Sequence, residues 1–483
     1  MILVFDIGTT TVKGAAFSRQ GALIRKGEKS INLYAGTSPL MHEQDPHEWT
    51  DAVKELSPVL CGEEWCSVEA VAVSGNGPTL VPVSGAGRPL SRAMTWMDRR
   101  GSKEAELIFQ KTGIRVDPSF YFPKVLWLME NDPGTYESAR YFLSCPAFLI
   151  YTMTGEAKMD FPGEGLENFI WTDEMIESFR LDKRKFPDFA LPGTLAGTVS
   201  EEGAKIYKLP QGAPVFIGGP DFVVSLLGTA SVKPGRACDR AGTSEGINIC
   251  SEKPVTDSRL LCYRHVVRKY WNITGIISTS GKAFEWFRNT MMPDTGSYEE
   301  ALKRISSASS SSEKLIFLPY LTGERAPLWD PNARGVFLGL SLQHGPEEVG
   351  YAVLESIGYA LRDVLEVMEY LGVVTEELRI TGNPGKSDLW NQIKADITGK
   401  RILVPETEEP ELAGDLCIAL AGLKDYSGPG EASEDIIAIK KEFIPDTSKA
   451  LMYTELFNVY RETYRKLKDL FVRVSQQRQT EEL

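Results

Sequence analysis

The first seventeen residues constrain the fold more than any other segment. Met1-Ile2-Leu3-Val4-Phe5 is an unbroken apolar run that leads into Asp6-Ile7-Gly8-Thr9-Thr10-Thr11-Val12-Lys13-Gly14, and a second apolar run, Ala15-Ala16-Phe17, follows. An apolar strand thus delivers a carboxylate into a turn rich in glycine and threonine, a pattern that lets a β-hairpin wrap a phosphate group. Gly8 lets the backbone approach an anion. Threonine hydroxyls and loop N–H groups donate to phosphate oxygens. Asp6 cannot bind phosphate itself, but it can hold a magnesium ion that does. An ordinary hairpin with a polar turn has the same local pattern, so the reading depends on the rest of the chain.

Composition narrows the classes. A chain of 483 residues exceeds one ordinary core, so two domains are expected. The formal net charge of −13 argues against a nucleic-acid partner, whose backbone needs basic patches. It does not argue against a nucleotide, which is held by local dipoles. No apolar run approaches a membrane-spanning length, and the N-terminus reads as a first strand rather than a signal peptide. The seven cysteines are scattered and odd in number, which fits reduced thiols and a cytoplasmic address.

Short apolar runs alternate with amphipathic stretches, the mark of an α/β chain. Strands are expected at Val68–Val73, ahead of Ser74-Gly75-Asn76-Gly77-Pro78, and at Gly212–Ile217, ahead of Gly218-Gly219-Pro220-Asp221. Helices are expected at Lys124–Asn131 with Val125, Leu128 and Met129 on one face, at Phe222–Gly228, at Glu347–Tyr370 and at Leu456–Gln477. Ala237–Arg240, a turn at Ala241-Gly242-Thr243-Ser244, and Gly246–Cys250 form a second strand–loop–strand with Gly-Thr at its tip. It echoes Gly8-Thr9, hints at an internal structural repeat, and places the domain boundary near 230–245. Ser306–Ser312 reads as a flexible loop.

Three features could converge on phosphoryl-transfer chemistry: Asp6 with its hairpin, Asp221 after two glycines, and the Gly242-Thr243 hairpin. Phosphoryl transfer needs positioning, charge neutralisation and a base for the acceptor hydroxyl. Lys13 is placed to reach the phosphates and Asp221 to act as the base. Each has a structural alternative: Asp221 can cap the following helix, and Lys13 can be a solvated surface lysine. Asp98 and Arg99 can form an ion pair, as can Glu324 and Arg325, and Trp96 can pack in the core.

Several further motifs give the chain a family resemblance. Asp6-Ile7-Gly8-Thr9, Glu43-Gln44-Asp45-Pro46 ahead of Trp49, Trp96-Met97-Asp98-Arg99-Arg100, Lys124-Val125-Leu126-Trp127 and Tyr320-Leu321-Thr322-Gly323-Glu324-Arg325-Ala326-Pro327 all resemble blocks of the FGGY carbohydrate kinases, in the actin-like ATPase superfamily. The most specific block is Gly335-Val336-Phe337-Leu338-Gly339-Leu340 with Glu348 to Glu355, which meets that family's C-terminal signature at every restricted position. The resemblance runs from Met1 to about Tyr426 and is strongest to xylulokinase-like members.

It implies two ribonuclease-H-like domains with a cleft between them: 1–240, with the first phosphate loop and the sugar site, and 241–483, with the nucleotide site and a C-terminal helix. ATP and magnesium are the implied cofactors and a small sugar the implied partner; a homodimer is an assembly open to such a chain. By the resemblance, Asp221 is the general base and a metal and substrate neighbour. Asp6 positions magnesium, and Thr9, Thr10 and Lys13 contact phosphates. Gly242 and Thr243 form the second phosphate loop. Gly281 and Glu285 line the nucleotide site, and Gly382, Asn383 and Ser387 belong to the adenosine loop. Two departures stand out. Asn383 and Pro384 interrupt an adenosine loop that is usually small and glycine-rich, and Pro384 removes a backbone donor. In the substrate loop Gly75-Asn76-Gly77-Pro78-Thr79, xylulokinases carry Met-His and glycerol kinases Arg-Glu; this chain has neither. Asn76, Gly77, Asp98 and backbone groups are then the candidates to hold the sugar.

The expected activity is ATP-dependent phosphorylation of a sugar hydroxyl, with a ketopentose such as D-xylulose leading. Gluconate, ribulose or a polyol such as glycerol or erythritol are the alternatives. Outside enzymes of that kind stand an actin-like ATPase acting as a conformational switch and a scaffold without catalysis. The intact base position and the polar candidates Asp98 and Glu324 speak against these two.

Overall fold

The computed structural model describes residues 1–307 and 314–481. Its chain forms two units. In the first, β1 (Ile2–Ile7) has every residue buried. Such burial follows from its place inside a six-stranded sheet, paired antiparallel with β2 (Thr11–Phe17) on one side and parallel with β4 (Ala70–Gly75) on the other. The order is β5-β6-β4-β1-β2-β3, with β3 Leu23–Ser30, β5 Leu195–Thr198 and β6 Pro214–Pro220.

Side-chain alternation along β1 divides its residues between two cores. Leu3, Phe5 and Ile7 join Trp49, Val53, Leu56 and Leu60 of α1 (Pro46–Cys61) and Phe148 of α3 (Cys145–Thr154). Ile2 and Val4 join Leu412, Leu416 and Leu420 of α8 (Pro410–Gly422). Asp6 continues the second set, so the apolar face ends on a carboxylate.

Helix α8 corrects the expected division at 240/241. The first unit comprises Met1–Val232, Tyr263–Arg268 and Glu409–Ile437, and the second Lys233–Cys262, Lys269–Glu408 and Ala438–Leu483. The face carrying Ile2 and Val4 needs an apolar cover, and α8 is buried without a break from Leu412 to Leu420. Two glycines let it lie against α4 (Asp221–Gly228): a Cβ on Gly228 would stand 1.8 Å from the Pro410 carbonyl oxygen, and one on Gly414 2.2 Å from that of Val224.

The second unit repeats the first. Its sheet runs β9-β10-β8-β7-β11-β12-β13, with β7 Arg236–Ala241, β8 Glu245–Ser251, β9 Leu261–Arg264, β10 Trp271–Ile277, β11 Glu377–Thr381, β12 Arg401–Pro405 and β13 Ile439–Phe443. Read from the meander, β3-β2-β1-β4-β6-β5 and β10-β8-β7-β11-β12-β13 both pair antiparallel, antiparallel, parallel, parallel, antiparallel. The loop between β1 and β2 therefore corresponds to the loop between β7 and β8. The Gly-Thr echo in the sequence is a topological repeat.

The long helices form largely as their periodicity predicts: α6 spans Pro346–Tyr370 and α9 Ala450–Glu481. Tyr453, Phe457, Tyr460 and Tyr464 make one buried stripe of α9. Tyr460 and Tyr464 pack against Tyr320, and the Tyr320 hydroxyl donates to Tyr460 at 2.7 Å. Helix α2 (Tyr121–Asn131) starts earlier than expected and leaves Met129 exposed. Ser306 and Ser307 end the helix Tyr298–Ser307; the other expected loop serines, 308–312, lie outside the described residues. Among the described residues, no helix is long and apolar enough to cross a membrane.

Candidate active site

In the first unit, three parallel strands end side by side. Asp6 is in register with Ser74, and Ser74 with Gly219. Carboxyl ends of parallel strands are where α/β sheets bind ligands. A bulge at Gly218 shifts the register there. A Cβ at Gly218 would meet the Val73 carbonyl oxygen at 2.6 Å and Asp415 Oδ1 at 2.2 Å, so the close approach requires glycine.

Asp221 follows as the first residue of α4, with Pro220 rather than Asp221 at the N-cap. Its Oδ1 accepts from the Phe222 N–H at 2.7 Å. Asp6 Oδ1 accepts from the Ser74 hydroxyl at 2.9 Å. Burial, then the charges of Glu411 and Asp221, push the Asp6 carboxyl up, against the pull of Ser74 and Lys13. Lys13 lies opposite Asp6 across the β1–β2 pair. It is not a solvated lysine: its ammonium is ion-paired with Glu409 at the start of α8, which holds it charged although burial works against the charge. Carboxylates repelling one another around Asp6 form a hard oxygen donor set, which suits a magnesium ion. Among the described residues no three ligating side chains cage an ion unaided.

The loops around this centre are braced from behind. Gln44 Nε2 donates to the carbonyls of Gly8, at 3.2 Å, and Thr9, at 2.6 Å. Asn76 Nδ2 donates to the carbonyls of Ile7, at 2.9 Å, and Gly8, at 3.0 Å, while its Oδ1 accepts from Thr79. Asp98 is fully buried and accepts from the His42 N–H at 2.9 Å and from the Arg100 guanidinium. Its partner is Arg100 and not Arg99, which pairs with Asp117. The polar atoms of Asn76 and Asp98, expected to hold a sugar, are engaged inside the protein, where they fix loops. Glu324 Oε1 accepts from the backbone N–H groups of Ser278 and Arg325, each at 2.7 Å, while its buried Oε2 has no hydrogen-bond partner. Gly77 carries no side chain to donate, and a Cβ there would have only ordinary contacts. Lys124, fully buried, donates to the carbonyls of Pro78 and Thr95, both at 2.8 Å, and burial lowers its pKa to about 7. Trp96 is 43% exposed, and its indole N–H donates to Thr9 Oγ1 at 3.0 Å, so it is no core residue.

In the second unit, three separate segments meet. The N–H groups of Ser280 and Gly281 donate to the carbonyls of Thr243, at 3.1 Å, and Gly242, at 2.9 Å. This ties the start of α5 (Gly281–Met291) to the β7–β8 loop. Gly382 has φ +87°, and a Cβ there would stand 1.8 Å from the Ala241 carbonyl oxygen. Pro384 comes within 3.7 Å of a Cβ built on Gly281. Gly242, Thr243, Gly281 and the 382–384 turn therefore adjoin one another. Thr243, Asn383 and Glu285 are exposed. Ser387 is engaged within the fold, where its hydroxyl accepts from the Trp390 N–H at 3.2 Å and caps α7 (Asp388–Thr398).

Residues 1–228 match the N-terminal domain, and residues 240–423 the C-terminal domain, of the FGGY family of carbohydrate kinases. This chain belongs to that family. FGGY relatives include a xylulose kinase of Staphylococcus epidermidis, 28% identical over 97% of each chain. Another is a gluconokinase of Bacillus licheniformis, 25% identical over 98% of this chain and 97% of its own. The ligand-bound xylulose kinase of Lactobacillus acidophilus has the same fold, with a TM-score of 0.86 and 24% identity over 98% of this chain and 100% of its own. The chain is thus a carbohydrate kinase with the two-domain α/β fold of the actin-like ATPase type, and membership of the family implies ATP as phosphoryl donor and a small sugar as acceptor.

Sequence reading missed Glu409, Glu411 and Asp415. Glu411 and Asp415 come from α8 and Glu409 is its N-cap, far along the chain from Asp6. The available signal was the succession of acidic residues at the start of an otherwise apolar helix.

Proposed function

We propose that this kinase phosphorylates a hydroxyl of a ketopentose such as D-xylulose, with Asp221 as general base. The observation that supports this most is the convergence of Asp6, Ser74 and Asp221 at the ends of three adjacent parallel strands. Asp221 accepts the proton as the sugar oxygen attacks the γ-phosphate. Its carboxylate is held at the helix start by the Phe222 N–H. Asp6 and Glu411 would hold magnesium, which would neutralise phosphate charge. Thr9, Thr10 and Lys13 serve as phosphate contacts, and Gly242 and Thr243 as a further phosphate loop. Gly281, Gly382 and Asn383 border the nucleoside, with Glu285 on the exposed side of α5. The half-exposed Trp96 ring offers the sugar an apolar face beside Thr9, while Gly77 and Pro78 leave backbone groups as its polar partners.

Relatives named as xylulose kinases support the ketopentose, and the gluconokinases among them make gluconate the second reading. Cys61, Cys145, Cys238, Cys250, Cys262 and Cys417 are free thiols, which fits the cytoplasm. ADP release from purified protein, measured with ATP and a panel of D-xylulose, D-ribulose, gluconate, glycerol and erythritol, tests the proposal. D-xylulose is expected to give the highest kcat/KM. A higher value for gluconate would replace the substrate assignment, and turnover indifferent to every sugar would replace it with a switch ATPase.

A further inference from the structure

Three charged side chains stand in the apolar core of the second unit, and each is fully buried. Lys394 Nζ donates to Asp239 Oδ2 at 2.8 Å and to Glu245 Oε1 at 2.7 Å. Alternation places Asp239 on the same face of β7 as Ala237 and Ala241, and Glu245 on the same face of β8 as Ile247 and Ile249, all apolar core. Lys394 comes from α7, between Ile393 and Ala395. Removing such charges from water is expensive, and apolar residues of similar size would often hold the fold as well. The triad therefore asks for a reason beyond stability.

Its connections supply one. Asp239 and Glu245 lie on the two strands of the hairpin whose tip is Gly242-Thr243. Lys394 sits on the helix that begins just after the 382–387 turn. Glu245 Oε2 accepts from the Ser280 hydroxyl, and the Ser280 N–H donates to Thr243. All three segments assigned to the nucleotide are thus joined through Glu245 and Lys394. We infer that Lys394, with Asp239, Glu245 and Ser280, is an ionic clasp that positions the second phosphate loop against the nucleoside-binding turn. Lys394 is then a positioning residue for ATP and touches no substrate; the inference rests on the proposed nucleotide role of the Gly242-Thr243 hairpin.

The electrostatics agree with the geometry. Burial and then Glu245 push the Asp239 carboxyl up, while Asp239 and Glu245 hold the Lys394 ammonium above its ordinary range although burial opposes its charge. Without the ammonium, Asp239 and Glu245 lose the donor they share, and one of the two buried carboxyls would take up a proton instead.

The test is steady-state kinetics on the full chain with Lys394→Met and Ser280→Ala, varying ATP and sugar separately. Lys394→Met is expected to raise the KM for ATP by about tenfold, roughly 1.4 kcal/mol of nucleotide binding. Ser280→Ala should raise it severalfold, and the KM for sugar should stay within about twofold in both. Ser280→Ala deletes a single hydroxyl, so it carries the test if Lys394→Met does not fold. Equal rises in both KM values, or none, would overturn the clasp. Thr243→Val separates the two claims. If it raises the KM for ATP while Lys394→Met and Ser280→Ala do not, the clasp fails alone. If none of the three variants moves that KM, the hairpin is not the nucleotide loop and the clasp falls with it.

Discussion

Acid should loosen the first unit through one histidine, His265. It lies in the short return segment Tyr263–Arg268 and is buried. Its Nδ1 accepts from the Val267 N–H at 2.9 Å, so the neutral ring carries its proton on Nε2, which faces the Ser231 carbonyl at 3.1 Å. A second proton would put two donors face to face at Nδ1. Burial accordingly lowers the pKa from 6.5 to about 4. Between those values the unfolded chain binds a proton that the folded chain refuses, so stability falls as pH falls through that window and is fully present above it. At about 1.4 kcal/mol per pH unit, the term reaches roughly 3 kcal/mol at its largest. The loss matters for the site, because Tyr263 packs edge-on against Phe222, the residue after Asp221.

His265→Gln keeps an amide of similar reach and removes the titration. Urea unfolding between pH 4 and 8, with the first unit followed by hydrogen exchange of the Ile2–Ile7 amides, measures the difference. The wild type should lose stability faster than the variant between pH 6.5 and 4, and the two should run parallel above pH 7. Parallel curves throughout the acid range would refute the reasoning.

Gly382→Ala puts a methyl group onto the Ala241 carbonyl at a positive φ, so the KM for ATP should rise at least tenfold while sugar binding is kept; titration with ADP reads it directly. Glu411→Gln removes the largest charge acting on Asp6, and the magnesium concentration for half-maximal rate should rise by about tenfold. An unchanged magnesium dependence would place Glu411 outside the metal site.

The fold was legible where a local pattern carried the tertiary answer. The apolar run to Phe5, the glycine turns before Asp221 and the Gly-Thr echo mark the strand ends and the repeat because each must occur at a sheet's carboxyl edge. The return of α8 to the first sheet was not legible, since an all-round apolar helix fits either core. Polar residues beside glycines are ambiguous for a physical reason. Asn76 and Asp98 sit where a ligand could be met, but a loop that holds its shape needs buried donors and acceptors for its own backbone, and one sequence cannot tell the two uses apart. Trp96 errs in the opposite direction, because an indole reads as core unless the Thr9 hydroxyl that meets its N–H is seen. Lys394, a lysine among Trp390, Ile393 and Ile397, was a signal in the helical pattern that no motif pointed to.

The central claim is that Asp221 takes the proton of the acceptor hydroxyl. Asp221→Asn keeps the size of the side chain and an oxygen for the Phe222 N–H, and it removes the base. Sugar-dependent ADP release by this variant should fall by about two to four orders of magnitude, with ADP affinity within a few fold of wild type. A turnover number near that of the wild type would contradict the account.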